Sequence, residues 1–286
     1  MAMARRFKFA EGDATILALF RLNPTLQSIQ IHRMLKRGGD LQMVRRRLQA
    51  LRQLGYLRRM ALPDETGELI NRGHFVHFLT GKGWSLLQEQ GVALPPKEFR
   101  ELQKRETGLH TDVKSNKKLP HEQKLTDLYL RISEQFPQVG WKLTTWERLN
   151  RYLYHRFGDQ SVNPDVYMSF ETSELVGQGF WEVENTHESK HDREGKSSLV
   201  RKLEAYEEYF TSTSFTERWG AENGRVYVLM RTEALAWNLC KRLHAFGGDL
   251  DSERWYVTWD EAAERITDRI FLTPRTFRNR PYSLGD

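Results

Sequence analysis

Cysteine is almost absent from this chain of 286 residues, which contains only Cys240. A single cysteine excludes an intrachain disulfide framework and a cysteine-based zinc finger, and it suits a reducing compartment. No apolar run reaches the roughly 18 residues that cross a bilayer, and no signal-peptide core follows Met1–Arg6. A Gly-x-x-x-x-Gly-Lys-Ser/Thr loop is also missing, so nucleotide hydrolysis has no support. We therefore expect a soluble, cytoplasmic protein.

Acidic residues are fewer than basic ones. The 44 lysines and arginines exceed the 38 aspartates and glutamates, which gives a formal net charge of +6 with neutral histidines. This moderate excess favours a polyanionic partner, and nucleic acid is the partner we expect. Hydrophobic residues make up 39% of the chain, which is enough for packed cores in one large or two ordinary domains.

A charged stretch rich in proline and lysine separates two regions that have regular hydrophobic patterns. Pro95-Pro96 closes the first region, and Lys114-Ser115-Asn116-Lys117-Lys118 precedes the second. We interpret residues 94–120 as a linker between domains at 1–93 and 121–286.

The first region has the element order of a small DNA-binding domain. Apolar spacing predicts helices at residues 15–22, 28–36 and 41–54, with Asp40 capping the third helix and Gly55 ending it. Two strands at residues 56–60 and 73–79 and a closing helix from Gly81 follow. This order predicts a winged helix-turn-helix, in which the third helix enters the major groove of duplex DNA and the hairpin touches the backbone.

Basic and amide side chains cover the polar face of the predicted third helix. The candidate DNA-binding residues there are Gln42, Arg45, Arg46, Arg47, Gln49 and Arg52, joined by Arg72 and His74 next to the second predicted strand. Two alternatives stay open, namely a merely solvated helix face and a winged helix that binds protein.

The second region alternates helices and strands in the order αβββαβαβ. The predicted strands lie at residues 141–144, 166–170, 179–185, 225–230 and 255–258, and the predicted helices begin near 121, 196 and 233. Such an alternation predicts an α/β domain with a mixed sheet flanked by helices.

Three carboxylates mark the middle of this second region. Glu182 and Glu184 alternate with Trp181 and Val183, so the two glutamates should share one face of a strand while the other face is packed. Asp165 should meet them from the neighbouring strand of a hairpin. Clusters of carboxylate oxygens hold Mg²⁺ or Mn²⁺, and these metals support phosphodiester hydrolysis. The alternative is an exposed face whose acids are simply solvated.

Residues 121–260 resemble the PD-(D/E)XK, or restriction-endonuclease-like, nuclease superfamily. Pro164-Asp165 and Glu182-Val183-Glu184 match its motifs, in the E-x-E variant in which Glu184 replaces the usual lysine. The resemblance implies that Asp165, Glu182 and Glu184 are catalytic metal ligands.

The whole chain is similar to replication-relaxation proteins and to the MobC family of plasmid relaxases. The segments that carry this similarity are Leu119-Pro120-His121-Glu122 with Leu125 and Asp127, Pro164-Asp165, Glu182-Val183-Glu184, and Lys202-Leu203-x-x-Tyr206. The resemblance implies a relaxase that nicks duplex DNA at a plasmid transfer origin, with accessory mobilisation proteins as further partners. Because no His-x-His cluster accompanies a tyrosine pair, we expect metal-activated water rather than a covalent tyrosyl link.

Two further residues are candidates for the same site. Lys202 borders the apolar stripe of the helix after the glutamates, so it can replace the missing lysine or simply extend to solvent. Glu122 in a first helical turn can be another metal ligand, as helix acids are in this superfamily, or can complement the helix dipole.

Other functions compete with the nuclease hypothesis. His187-Glu188-Ser189-Lys190-His191 fits the zinc-protease pattern His-Glu-x-x-His, but its polar, loop-like setting argues against that reaction. A non-catalytic DNA-binding initiator or accessory protein, with the nuclease-like domain as a scaffold, is the main alternative.

Overall fold

The computed structural model describes residues 8–21, 23, 25–35, 40–62, 75–91, 119–148, 154–157, 160–184, 198–220, 224–246, 254–268 and 270–275. The chain divides into two compact units at residues 130 and 131. The predicted linker at 94–120 lies almost entirely outside the described residues, as do Arg72, His74 and the His187–His191 segment.

The first unit contains helices α1 to α4, a three-stranded sheet and most of a long helix. Its elements are α1 (Glu11–Ala18), β1 (Leu26–Gln27), α2 (Ser28–Met34), α3 (Leu41–Gln53), β2 (Leu57–Ala61), β3 (Phe75–Leu79), α4 (Gly81–Glu89) and α5 (Leu119–Gln135). The sheet has the order β1-β3-β2, and both pairings are antiparallel.

Helix α3 follows the predicted start and stop signals. The Asp40 side chain accepts a hydrogen bond from the Gln42 amide at 2.8 Å, which satisfies one of the amide groups left open at a helix start. Gly55 follows the helix with φ at +79°, a left-handed conformation that side chains disfavour. Val44, Leu48 and Leu51 lie on the face that packs into the core of this unit.

Helix α5 is anchored to the first unit by side-chain hydrogen bonds in its first turns. Gln123 donates to Thr25 Oγ1 at 2.9 Å and accepts from Gln27 at 3.1 Å, and Gln30 donates to Asp127 at 2.9 Å. The start of α5, assigned from sequence to the second domain, is therefore packed against residues 25–30.

The second unit contains the five-stranded sheet and the helices around it. Its elements are β4 (Lys142–Arg148), β5 (His155–Phe157), β6 (Gln160–Val162), β7 (Val166–Glu171), β8 (Val176–Val183), α6 (Ser198–Thr211), α7 (Thr213–Trp219), β9 (Val226–Met230), α8 (Glu233–Phe246) and β10 (Trp255–Trp259). The predicted strands and helices are confirmed, whereas the β5-β6 hairpin and α7 have no counterpart in the sequence-based prediction.

The sheet has the order β10-β9-β8-β7-β4, so β8 is its central strand. Strand β9 is parallel to both β8 and β10, while β7 is antiparallel to both β8 and β4. This mixed sheet flanked by helices confirms the predicted α/β class.

Both faces of the central strand are covered. Phe180 packs against aromatic rings of α6 and α7, and Trp181 on the opposite face stacks on Tyr227 at 5.1 Å and contacts Phe271. The expectation that only the Trp181 side is packed is wrong, because α6 covers the face that carries Glu182. Among the described helices, none is long and apolar enough to cross a membrane.

Candidate active site at the open end of the hairpin

Asp165 and Glu182 meet at the open end of the β7-β8 hairpin. Val166 lies opposite Trp181 in the antiparallel register, so Asp165, one residue earlier, lies beside the end of β8. The Asp165 amide donates to the Trp181 carbonyl at 3.1 Å, and the Val183 amide donates to Asp165 Oδ2 at 2.8 Å. Backbone hydrogen bonds therefore hold the Asp165 carboxylate against the strand that carries Glu182.

A close approach of backbone and side chains keeps this part of the sheet tight. A Cβ atom on Gly179 would lie 2.7 Å from the Tyr227 ring and 2.8 Å from the Arg225 carbonyl oxygen. Glycine at this position therefore lets β8 lie closely against the start of β9.

Glu182 is a buried carboxylate with two side-chain hydrogen-bond donors. Its side chain is 3% exposed. The Lys202 ammonium donates to Glu182 Oε2, and the Tyr206 hydroxyl donates to Glu182 Oε1. Lys202 and Tyr206 are four residues apart on α6, so they share the helix face that points at β8.

The charges at this site are strongly coupled. Burial raises the pKa of Glu182 to about 8, and the nearby Asp165 carboxylate adds to this rise, while Lys202 and the Tyr206 hydroxyl oppose it. Burial lowers the pKa of Lys202, but attraction to Glu182, Asp165 and Glu184 outweighs burial and leaves the pKa above its ordinary value. Burial and then the Glu182 charge raise the pKa of the Tyr206 hydroxyl well above its ordinary value. The lysine therefore stays charged, and the tyrosine stays a hydrogen-bond donor.

Glu184 lies just beyond the end of β8. Its amide donates to the Leu229 carbonyl at 2.9 Å, which extends the pairing with β9 by one residue. Its side chain is half-buried, and its charge contributes to the raised pKa of Lys202. All three predicted acids therefore act on the same ammonium group.

Glu122, the other predicted ligand, belongs to the first unit. Its carboxylate lies 3.8 Å from the His121 imidazole, and its carbonyl accepts from the Thr126 hydroxyl at 3.0 Å. Glu122 carries a carboxylate, the kind of ligand that hard divalent cations prefer. In the part of the chain that the structure describes, no three His, Cys, Asp or Glu side chains form a group that could hold a metal ion.

The predicted DNA-binding residues of α3 are divided between two surroundings. Gln42, Arg45, Arg46 and Gln49 are exposed, and Arg52 is half-buried. Arg47 instead pairs with the buried Asp13, and its Nε donates to Asp13 Oδ1 at 2.9 Å.

Sequence reasoning missed the hydroxyl of Tyr206 as part of the site. In the sequence Tyr206 belongs to the Lys202-Leu203-x-x-Tyr206 segment that carries the family resemblance, without a role for its hydroxyl, and in the structure its ring is fully buried. The available signal was the hydroxyl itself, since a buried tyrosine usually finds a hydrogen-bond partner and Lys202 lies one turn earlier.

Of three comparisons with known proteins, one identifies a family. The sequence profile described as Replication-relaxation matches residues 17–223. A search of curated proteins returns no match. A solved structure of restriction endonuclease FokI bound to DNA aligns with 88% of this chain at 11% identity and a TM-score of 0.30. This chain spans 43% of the FokI chain, and a score this low does not establish a shared fold.

Proposed function

Because the chain belongs to the Replication-relaxation family, we propose that it is a divalent-metal-dependent DNA endonuclease that nicks one strand of duplex DNA. The observation that carries this proposal is the convergence of Asp165, Glu182 and Lys202 at the end of the central strand. Two carboxylates and an ammonium in a largely buried setting match the needs of phosphodiester hydrolysis.

The carboxylates fit a magnesium or manganese ion. Mg²⁺ usually keeps several waters and is held by one or two carboxylates together with substrate phosphate oxygens, so a group of three protein ligands is not required. Asp165 and Glu182 would hold the ion, and Glu184 would act from its periphery. The bound ion supplies Lewis-acid activation of the attacking water and of the scissile phosphate.

The residues of this chain prepare the site for that chemistry. The Val183 amide and the Tyr206 hydroxyl fix the two carboxylates, and the site needs both in their ionised form. The Lys202 ammonium supports ionisation of Glu182 and would lie beside the phosphate, where it stabilises negative charge that develops during cleavage. Lys202 would thereby replace the lysine of the usual strand motif, whose position is occupied by Glu184 in this chain.

The first unit supplies the DNA-binding surface in this proposal. We infer that it is a winged helix-turn-helix, since three helices precede the β2-β3 hairpin and α3 presents exposed Arg45, Arg46 and Gln49. Arginine and glutamine side chains on a helix suit contacts with base edges in the major groove. Arg47 is left out of this surface, because Asp13 engages its guanidinium group.

The plasmid transfer origin as substrate, and accessory mobilisation proteins as partners, rest on the resemblance to the MobC relaxases. Cleavage by water rather than by a covalent tyrosine is part of the same proposal, and the buried Tyr206 hydroxyl, which donates to Glu182, supports it at this site.

A plasmid-nicking assay tests the proposal. Supercoiled plasmids with and without a cloned transfer origin are incubated with the full chain and Mg²⁺ or Mn²⁺, and open circles are counted on a gel. Asp165→Asn and Glu182→Gln should abolish nicking, and Lys202→Ala should slow it about 100-fold or more. Arg201→Ala, a change on the exposed face next to Lys202, should nick like the wild type.

Nicking that persists in both Asp165→Asn and Glu182→Gln would contradict the site. Specific binding to the origin without cleavage in any divalent ion would instead favour the non-catalytic initiator.

A further inference from the structure

The first unit contains an open groove of about 740 Å³ between α2, α3 and the β2-β3 hairpin. Its walls include Arg45, Gln49 and Arg52 of α3 and Arg59 and His77 of the hairpin. None of the described residues that line the groove is acidic. Three guanidinium groups thus surround one cavity, and the described residues place no carboxylate on its walls.

The hairpin register brings two of these residues together. Arg59 of β2 lies directly opposite His77 of β3, so both side chains leave the same face of the hairpin. The Arg59 guanidinium lies 4.3 Å from the centre of the Phe75 ring, a cation–π contact that orients its planar group. This contact holds the exposed Arg59 side chain at the groove.

Two buried polar atoms on the groove wall have no hydrogen-bond partner among the described residues. These atoms are Nε of Arg52 and Nδ1 of His77, a residue that is 5% exposed. The other ring nitrogen of His77 lies 3.5 Å from the Ser28 hydroxyl. A buried polar group without a partner is unfavourable, and a ligand that accepts hydrogen bonds would relieve that penalty.

The charges of the groove also favour an anion. Burial lowers the pKa of Arg52, and repulsion from the Arg59 guanidinium group lowers it further. Like charges that converge on a cavity destabilise the protein unless an anion neutralises them. Arginine forks match phosphate oxygens in particular, because they donate two parallel hydrogen bonds.

We infer that Arg52, Arg59 and His77 form a binding site for one backbone phosphate of duplex DNA. The site extends the surface of α3 to the hairpin, so it fixes the position of α3 on the duplex while Arg45 and Gln49 contact the bases. This inference rests on the proposed DNA-directed function, but it does not require that the carboxylate site cut DNA.

Binding measured in EDTA tests the inference without cleavage. Fluorescence anisotropy of a labelled duplex is followed at several salt concentrations for the wild type, Arg59→Ala and Arg58→Ala. Arg58 is the matched control, since it precedes Arg59 on the same strand and points to the opposite face. Arg59→Ala should weaken binding about tenfold and reduce the salt dependence, the slope of log K on log salt, by about 0.9. Arg58→Ala should resemble the wild type.

Equal salt dependence in Arg59→Ala and Arg58→Ala would overturn the site. A second readout follows the His77 ring nitrogens by NMR during titration with duplex or with inorganic phosphate. Shifts with the duplex support the inference. Shifts with inorganic phosphate alone, or with neither probe, contradict a site for a DNA backbone phosphate.

Discussion

His77 gives the first unit a pH dependence whose size follows from its surroundings. Burial lowers the pKa of His77 to about 4, and the nearby Arg52 and Arg59 add to this effect. The folded chain thus binds this proton only below about pH 4, whereas the unfolded chain binds it from about pH 6.5 downward. Above pH 6.5 His77 therefore does not reduce the free energy of unfolding. As the pH falls from 6.5 toward 4, protonation of His77 in the unfolded chain lowers that free energy progressively.

Each pKa unit corresponds to about 1.4 kcal/mol. A change from pH 7 to pH 4.5 should therefore lower the free energy of unfolding of the wild type by about 2.5 kcal/mol through His77 alone. His77→Gln removes the titrating group, so the variant should lack this part of the loss. Hydrogen exchange in α3, measured by mass spectrometry on the intact chain, reports the free energy of opening of the first unit. Parallel pH dependences in the wild type and His77→Gln would refute the reasoning.

Two further predictions concern the carboxylate site and the sheet that carries it. Tyr206→Phe should destabilise the chain by about 1.5–3 kcal/mol and weaken divalent-ion activation of nicking, because Glu182 loses a buried donor. Tyr209→Phe, whose hydroxyl accepts a bond away from Glu182, should leave activation unchanged in the same titration, and equal activation of both variants would contradict this role. Gly179→Ala should lower the free energy of unfolding in urea by about 1–3 kcal/mol, because its new Cβ would lie 2.7 Å from the Tyr227 ring. A Cβ on Gly81 would meet open space, so Gly81→Ala should not lower the free energy of unfolding. Equal unfolding midpoints for the two alanine variants would show that the tight packing at Gly179 has no effect on stability.

Local patterns in the sequence were sufficient to predict most of the elements and the meeting of Asp165 with Glu182, but not the β5-β6 hairpin or α7. Helical spacing placed α3 and α6, and the Asp40 cap and Gly55 marked the ends of α3. The antiparallel hairpin then required Asp165 to lie beside the end of β8. These features depend on residues that are close in the chain, which is why the sequence predicts them.

Features that depend on distant segments were not predicted. The burial of Glu182 comes from α6, and a strand pattern alone cannot say that its polar face will be covered. The pairing of Arg47 with Asp13, 34 residues away, removes one arginine from a helix face that looks uniform in sequence. Periodicity likewise could not place Arg59 opposite His77, because their register depends on how the hairpin closes.

The central claim is that Asp165 and Glu182 together hold the divalent ion that the endonuclease needs. Anomalous diffraction from Mn²⁺-soaked crystals of the full chain tests it most directly, with Glu182→Gln crystals as the comparison. We expect a manganese peak shared by the Asp165 and Glu182 carboxylates in the wild type, and no such peak in Glu182→Gln. Wild-type crystals without manganese at these two carboxylates, in which Lys202 still pairs with Glu182, would contradict it.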